Sequence, residues 1–250
     1  MTTTPTSPAS IASNSARRHS IVLLLAVVGG SIDAAVILGF GVLTAAQTGN
    51  TILLAVSLVQ HHFVESLHSV ISVAGYVAGA AFSELLMVRC DVNAQKKITI
   101  VIRLSAELAV VALLAILWYI AERHPAIAPA PVLVALAAIA MGMQSATVLR
   151  LHSGPKTTYV TGTITNFTTK AVRWLRVLET APSSTSSRAS EIESQGDPPS
   201  YGDPPSMYGL NWLIYFLGAA VGGIIFLNFH ETALLLPIAA LAGAITVALS

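Results

Sequence analysis

Long apolar stretches separated by short polar patches make up most of this chain. Six of them are long enough to cross a bilayer as helices, at roughly residues 21–43, 67–90, 98–120, 130–150, 208–228 and 232–249. A helix needs about 20 mostly apolar residues to cross the hydrocarbon core. The pattern therefore predicts an all-α integral membrane protein with six transmembrane helices.

Two shorter stretches are ambiguous, at residues 48–60 and 157–178. The first, TGNTILLAVSLVQ, is shorter than the about 17 residues that a span requires. The second is rich in threonine and carries Lys170, Arg173 and Arg176. Length alone leaves open whether either stretch crosses the membrane.

The distribution of basic residues decides between the two topologies, because cytoplasmic loops carry an excess of Lys and Arg. If both short stretches cross, the eight-span chain has seven basic residues inside and six outside, which is no bias. If neither crosses, Arg123 is the one basic residue on the outer side. The six-span topology, with both termini cytoplasmic, is therefore preferred. The short stretches then enter and leave by the same face as re-entrant segments or half-helices; the alternative is amphipathic helices at the interface.

The two halves of the chain resemble each other in sequence. GSIDA at residues 30–34 matches GMQSA at 142–146, and TGNTI at 48–52 matches TGTIT at 161–165. YVAGAA at residues 76–81 likewise matches YFLGAA at 215–220. Repeat one (21–120) and repeat two (130–249) each cross three times, an odd number, so the second starts on the opposite side. The chain is predicted to consist of two inverted three-span repeats, an architecture frequent among secondary transporters.

Two polar regions lie outside these repeat patterns. Residues 1–20 are rich in Ser, Thr and Pro, and we expect a disordered N-terminal tail. Residues 179–207 contain the duplicated GDPPSYGDPPS, and we expect a disordered cytoplasmic loop that interrupts a single membrane domain spanning 21–249.

Composition narrows the function classes. Only 10% of residues are charged and the formal net charge is +1, so there is no basic surface for nucleic acid. The single cysteine, Cys90, excludes an internal disulfide. The sequence has no nucleophile elbow or phosphate loop, so an enzyme is not expected, and neither is a cofactor or a bound metal.

The paired motifs resemble those of the YoaK-like membrane proteins, which carry a domain of unknown function. The family pattern is close to G-x-x-D-A and T-G-N in the first half, and to G-x-Q-N-A and T-G-T in the second. Here Ser145 replaces the usual asparagine, which removes any amide role at that position. The resemblance covers about residues 20–249 apart from the loop, and it implies a multi-pass membrane protein without assigning an activity.

Asp33 lies in the middle of the first predicted span, where an ionisable group is costly and suggests a function. Short helices starting near the two Thr-Gly motifs, each with its threonine as N-cap, would direct N–H groups and a positive dipole end into the protein. A turn near Gly39-Phe40-Gly41 would bring Asp33 close to the first motif. The candidate substrate or proton-coupling residues are Asp33, Thr48, Gly49, Asn50, Gln144, Ser145, Thr161, Gly162 and Thr163.

A structural explanation of these residues competes with the functional one. In it, Asp33 only accepts hydrogen bonds from N–H groups near Gly49 and Asn50, and Gln144 does the equivalent in the second half. Four further glycines are expected to allow close helix packing, within or between protomers: Gly75, Gly79, Gly218 and Gly222. Arg103 and Glu107, four residues apart, are expected to pair on one helix face.

The preferred interpretation is a secondary transporter or channel for a small polar or anionic solute, with or without coupling to protons. The alternative is a membrane scaffold or interaction protein that does not transport. The expected partners are the lipid bilayer, an unknown small solute and, as one possibility, a second copy of the chain.

Overall fold

A computed structural model describes residues 8–89, 96–124, 126–151, 164–165, 167–169, 172 and 205–250. All regular structure in these residues is helical, with no strand. The helices are α1 (Pro8–Phe40), α2 (Gln47–Val59), α3 (Phe63–Arg89), α4 (Lys96–Arg123), α5 (Ala130–Leu151), α6 (Pro205–Phe229) and α7 (Leu235–Leu249), with a 3₁₀ turn at His230–Thr232.

Five of these helices are long and apolar enough to cross a membrane: Ser15–Phe40, Phe63–Leu86, Lys97–Arg123, Ala130–Leu151 and Ser206–Phe229. They coincide with the first five predicted spans. Helices suit such sequences because every interior backbone N–H and C=O is paired within the helix, which a lipid environment requires. The protein is therefore a multi-pass membrane protein.

The sixth predicted span, residues 232–249, forms a shorter helix than its apolar length suggests. The 3₁₀ turn takes up its first residue, and α7 has 15 residues. A helix of this length rises about 22 Å, less than the about 30 Å of a hydrocarbon core. This part of the sequence therefore does not qualify as a span by length alone.

Helix α1 begins at Pro8, inside the segment whose composition predicts a disordered tail. Proline is favoured in the first turn of a helix, because its missing N–H has no partner there in any case. The twelve residues after it, ASIASNSARRHS, contain no further proline and no glycine. Residues 8–20 are thus helical. Residues 1–7 lie outside the described part, as does 179–204 of the predicted loop.

Helices α1 and α5 form the centre of the bundle. Their apolar windows are 67% and 72% buried, against 22–28% for α3, α4 and α6. Helix α1 packs mainly on α6 and α7, while α5 packs mainly on α3 and α4. Large apolar side chains such as Phe216, Ile224 and Leu227 remain exposed on the outer face of α6, as a lipid-facing surface requires.

The short helix α2 forms a hairpin with α3. Helix α1 ends at Phe40, and Gly41 follows with a φ of 72°, so the turn expected near these residues is present. After α2, three residues lead into α3, and His61 has a φ of 61°. The Ser57 and Ser66 hydroxyls lie 2.8 Å apart, which holds the two helices antiparallel close to this turn.

Candidate functional site

Asp33 lies inside the bundle, where it binds the loop between α1 and α2. Asp33 is buried, with 3% of its surface exposed. Oδ1 accepts hydrogen bonds from the backbone N–H of Thr44 (2.7 Å), the Thr44 hydroxyl (2.8 Å) and the backbone N–H of Ala45 (2.9 Å). Asp33 precedes the end of α1 by seven residues, or about 10 Å of helix. The loop therefore folds back along α1 toward the centre of the bundle.

The second carboxylate oxygen of Asp33 contacts another helix. Oδ2 accepts the hydroxyl hydrogen of Tyr215, on α6, over 2.7 Å. Four donor groups thus reach one side chain, three from the loop after α1 and one from α6. The N–H groups bound are those of Thr44 and Ala45, not those of Gly49 and Asn50 that the sequence suggests.

The Thr48-Gly49-Asn50 motif lies in the first turn of α2. The helix begins at Gln47 with Ala46 as its N-cap residue and no side-chain cap, so the prediction that Thr48 is the cap is wrong. The reason is that Ala46 already accepts the first helical bonds, from the N–H groups of Gly49 and Asn50. Threonine is a good cap only where its backbone is the last non-helical residue.

Asn50 binds the same loop from the other side. Its Oδ1 accepts the N–H of Leu43 (3.0 Å), and its Nδ2 donates to the carbonyl oxygen of Leu43. Nδ2 also contacts Gln47 Oε1 and Ser72 Oγ, both at 2.9 Å. The Ser72 hydroxyl on α3 donates to the Leu43 carbonyl as well, over 2.7 Å. Asp33 and Asn50 therefore lie close to the same short loop, as expected, but they bind different residues of it.

Only part of the predicted site in the second half is described. Gln144 and Ser145 are buried on α5, at 0% and 8% exposure. Gln144 Nε2 donates to the carbonyl oxygen of Leu25 on α1 over 2.7 Å, which joins the two central helices. Thr161, Gly162 and Thr163 lie outside the described residues.

The four glycines predicted to allow close packing lie against the backbone of a facing helix. A β-carbon at Gly75 would be 2.9 Å from the carbonyl oxygen of Ala135, and one at Gly79 would overlap that of Ile139. On α6, a β-carbon at Gly218 would lie 2.9 Å from Val27, and one at Gly222 2.7 Å from Ser31. Real β-carbons are not found so close to backbone atoms, so each position has room for glycine alone.

Two other glycines, Gly30 and Gly142, are packed about as closely as Gly79 and more closely than Gly75, Gly218 and Gly222. A β-carbon at Gly30 would overlap the carbonyl oxygen of Tyr215, and one at Gly142 would overlap that of Tyr76. The sequence marks both residues as the first of the matched motifs GSIDA and GMQSA. It gives no sign that they are points of backbone contact.

The pair expected between Arg103 and Glu107 does not form. Arg103 Nη1 instead donates to Glu84 Oε1 on α3 over 3.2 Å, and Glu84 Oε2 accepts from Arg150 Nη2 on α5 over 2.6 Å. One carboxylate thus joins α3, α4 and α5. Spacing along α4 could not reveal this, because the partner comes from a neighbouring helix.

Glu107 is a buried acid with no partner in the part of the chain that the structure describes. It is 0% exposed, and neither carboxyl oxygen has a hydrogen-bond partner within the described ranges. It lies on the buried face of α4 with Leu104, Val111 and Leu114, and α4 packs mainly on α5 and α7. Burying a lone carboxyl group is costly, and the cost is greatest for its charged form.

A comparison with protein-family models shows the family to which the chain belongs. The model for DUF1275, described as a protein of unknown function, matches residues 21–248. The chain belongs to the DUF1275 family. The match confirms the resemblance to the YoaK-like proteins and covers both halves and the loop between them. No curated protein and no solved structure matches the chain.

Two acidic side chains of this DUF1275 protein are the candidates for a chemical role. Among the described residues, Asp33 is a carboxylate bound by four donors, and Glu107 is a buried carboxyl group without a hydrogen-bond partner. In the part of the chain that the structure covers, no three His, Cys, Asp or Glu side chains lie close enough to hold a metal ion. The spacing of Arg103 and Glu107 along α4 predicts an ion pair and gives no sign of an unpartnered acid. The sequence does not single out Tyr215 either, since its motif serves only to align the repeats.

Proposed function

We propose that this protein is a secondary transporter for a small polar or anionic solute, coupled to protons through Glu107. The observation that carries the proposal is the complete burial of Glu107 with both carboxyl oxygens unpartnered among the described residues. Packing alone would favour an apolar residue at this position, since a buried polar group without a partner costs about 1–3 kcal/mol. A protonation step in the function of the protein would account for an acid inside a membrane span.

The proposal moves the proton-coupling role from Asp33 to Glu107. The Asp33 side chain accepts four hydrogen bonds from Thr44, Ala45 and Tyr215, so its place inside the bundle is accounted for by structure alone. Glu107 accepts no hydrogen bond from the described residues, so a change in its protonation state would leave the α1–α2 loop undisturbed. A proton-coupled transporter needs a group of this second kind.

Reciprocal helix contacts support an inverted-repeat architecture, the second part of the proposal. In the sequence alignment of the halves, Gly30 corresponds to Gly142 (a shift of 112) and Tyr76 to Tyr215 (a shift of 139). Gly30 lies against Tyr215, and Gly142 lies against Tyr76. The same contact therefore occurs twice with the halves exchanged, as a pseudo-twofold axis in the membrane plane would require.

A second pair of contacts follows the same two shifts. Gly79 lies against the backbone of Ile139, and Gly218 lies against that of Val27. The shift of 139 takes Gly79 to Gly218, and the shift of 112 takes Val27 to Ile139. Helix α1 thus packs on α6 as α5 packs on α3, and two inverted repeats account for both interfaces.

The proposed topology has six crossings, with α7 as a short sixth span and both termini in the cytoplasm. Helix α2 would be re-entrant. In support of this, the loop before α2 reaches back to Asp33, and the three-residue turn after α2 starts α3 from the same side. The irregular backbone at this depth has its polar groups bound by Asp33 and Asn50, which is the condition for such a segment inside a membrane.

A complementation experiment tests the transport function. A strain lacking the protein is complemented with wild type, Glu107→Gln or Glu65→Gln, and the cellular solutes are compared by untargeted metabolite profiling. Glu65 is exposed in the first turn of α3 and provides the matched control. We expect Glu65→Gln to restore the wild-type profile and Glu107→Gln to leave the profile of the deletion strain. Full restoration by Glu107→Gln, at wild-type membrane levels, contradicts the proposal.

A membrane scaffold or interaction protein is the second candidate. The four hydrogen bonds that Asp33 accepts favour it, since they tie this side chain to the loop after α1 and to α6. The same profiling separates the two candidates. A scaffold gives no solute difference between the wild-type and deletion strains, whereas a transporter gives a difference in the solute that it moves.

A further inference from the structure

A cavity of about 40 Å³ opens at one end of the bundle, where three helices meet. It lies between the start of the α1 span, the start of α4 and the end of α7. The residues that line it are Arg17, Arg18, Ile21, Lys97, Ile100 and Ala248. Three of the six are cations, three are apolar, and none is acidic.

Two of the three apolar lining residues are more deeply buried than the cations. Ile21 and Ala248 are 1% and 2% exposed and form the apolar wall. Arg17, Arg18 and Lys97 are partly exposed, as is Ile100, so the cations and part of the apolar lining can be reached from outside. The spans begin at Ser15 and Lys97, which places the cavity at the boundary between the hydrocarbon region and the polar headgroups.

We propose that this cavity binds the headgroup of an anionic phospholipid. Arg17, Arg18 and Lys97 would contact the phosphate oxygens, and Ile21 and Ile100 would contact the first methylene groups of an acyl chain. Basic pockets between transmembrane helices on the cytoplasmic side recognise such lipids. In addition, Lys97 lies in the first turn of α4, where the helix dipole favours a bound anion. The proposal does not depend on transport and holds equally for a scaffold.

A soluble phosphate compound offers the same anionic chemistry as a lipid headgroup. We favour the lipid because apolar side chains line half of the cavity and because it lies where the spans start. A free anion gains nothing from Ile21 and Ile100, whereas a lipid contacts both groups of residues at once.

Native mass spectrometry of the purified full-length protein tests this assignment. The protein is released from micelles that contain equal amounts of phosphatidylglycerol and phosphatidylcholine, and the bound lipid is identified. We expect retained phosphatidylglycerol to exceed phosphatidylcholine by tenfold or more. Each cation removed should reduce the preference for phosphatidylglycerol by up to about fivefold. The triple variant Arg17→Gln, Arg18→Gln, Lys97→Gln lacks all three charges and should retain both lipids equally.

Arg123→Gln is the matched control, since Arg123 is a cation at the opposite end of α4. It should retain phosphatidylglycerol as the wild type does. The proposal is wrong if the wild type and the triple variant retain equal amounts of phosphatidylglycerol. It is also wrong if Arg123→Gln loses as much of this lipid as the triple variant does. A third arm adds glycerol 1-phosphate in excess. If it displaces the lipid completely at millimolar concentration, the site is one for a soluble anion and the assignment to a lipid is wrong.

Discussion

Tyr215 donates its hydroxyl hydrogen to Oδ2 of Asp33 over 2.7 Å and so joins α6 to α1. The bond connects residues 182 positions apart, one from each half of the chain. Directly beside it, Gly30 allows the backbone of α1 to approach that of Tyr215. The carboxylate therefore holds together three parts of the structure: α1, the loop that follows it and α6.

Replacing Tyr215 by phenylalanine removes this bond and leaves the ring in place. Because Asp33 is 3% exposed, Oδ2 would lose its donor in a buried setting, and we expect a loss of about 1–3 kcal/mol. The thermal unfolding midpoint of the purified protein in detergent measures it. Tyr76→Phe is the control, since Tyr76 is the equivalent residue of the other half and its hydroxyl bonds to nothing in the described ranges. Equal shifts for the two variants would contradict a specific role of the Asp33 bond.

Two substitutions of Asp33 separate structure from transport. Asp33→Ala removes the acceptor of the Thr44 and Ala45 N–H groups, so we expect the protein to fail to accumulate in the membrane. Asp33→Asn keeps a carbonyl oxygen for those donors and an amide that can donate to the Tyr215 oxygen. We expect it to reach near wild-type levels and to restore the wild-type metabolite profile. Immunoblots of membrane fractions and metabolite profiling measure the two effects. Normal accumulation with lost transport in Asp33→Asn would return the functional role to Asp33.

Much of the helix arrangement could be predicted from the sequence, because it depends on apolar length and on repeated motifs. The five long helices and the turn at Gly41 follow from apolar length and from glycine. The residues that meet Asp33 do not follow in this way. A loop of six residues can approach a carboxylate with any of its N–H groups, and the packing of α2 on α3 selects Thr44 and Ala45 over the Thr-Gly-Asn motif.

The Arg103 pairing shows a second limit of prediction. Residues four apart on a helix can contact each other, which favoured Glu107 as the partner. Glu84 is the partner because its face of α3 turns toward α4. The sequence alone does not show which face of α3 does so. Periodicity identifies the residues of one face, but it does not identify the neighbour that this face meets.

Removing the Glu84 carboxylate should affect stability more than removing Arg150. Arg103 is 1% exposed, so Glu84→Gln leaves a buried guanidinium without a counter-charge. A fully buried broken pair costs about 3–5 kcal/mol, and we expect less here because Glu84 is 41% exposed. Arg150 is 62% exposed, and Arg150→Gln should change the unfolding midpoint little. A larger shift for Arg150→Gln than for Glu84→Gln would exclude this order.

Alanine at Gly30 or Gly142 should be strongly destabilising. Each added β-carbon meets a backbone carbonyl oxygen, which cannot move aside as a flexible side chain does. We expect a loss of at least about 1–3 kcal/mol for each, and similar values for the two because their contacts are equivalent. Gly223→Ala is the control on α6, since its β-carbon would lie 3.6 Å from Leu38, an ordinary contact. Unfolding midpoints in detergent measure all three. A tolerated Gly142→Ala beside a damaging Gly30→Ala would argue against the proposed inverted repeat.

Asn50 and Ser72 should act as one unit in holding the α1–α2 loop. Both donate to the carbonyl oxygen of Leu43, and they contact each other at 2.9 Å. The stability losses caused by substitutions within one hydrogen-bond network do not add. We therefore expect the double variant Asn50→Ala, Ser72→Ala to lose less stability than the sum of the two single variants, by about 0.5–3 kcal/mol. A double-mutant cycle on unfolding free energies measures this coupling. Pairing Asn50→Ala with Ser83→Ala, a buried serine near the other end of α3, provides the control, and these two losses should add. Additive losses for Asn50 and Ser72 would mean that the two side chains hold the loop independently.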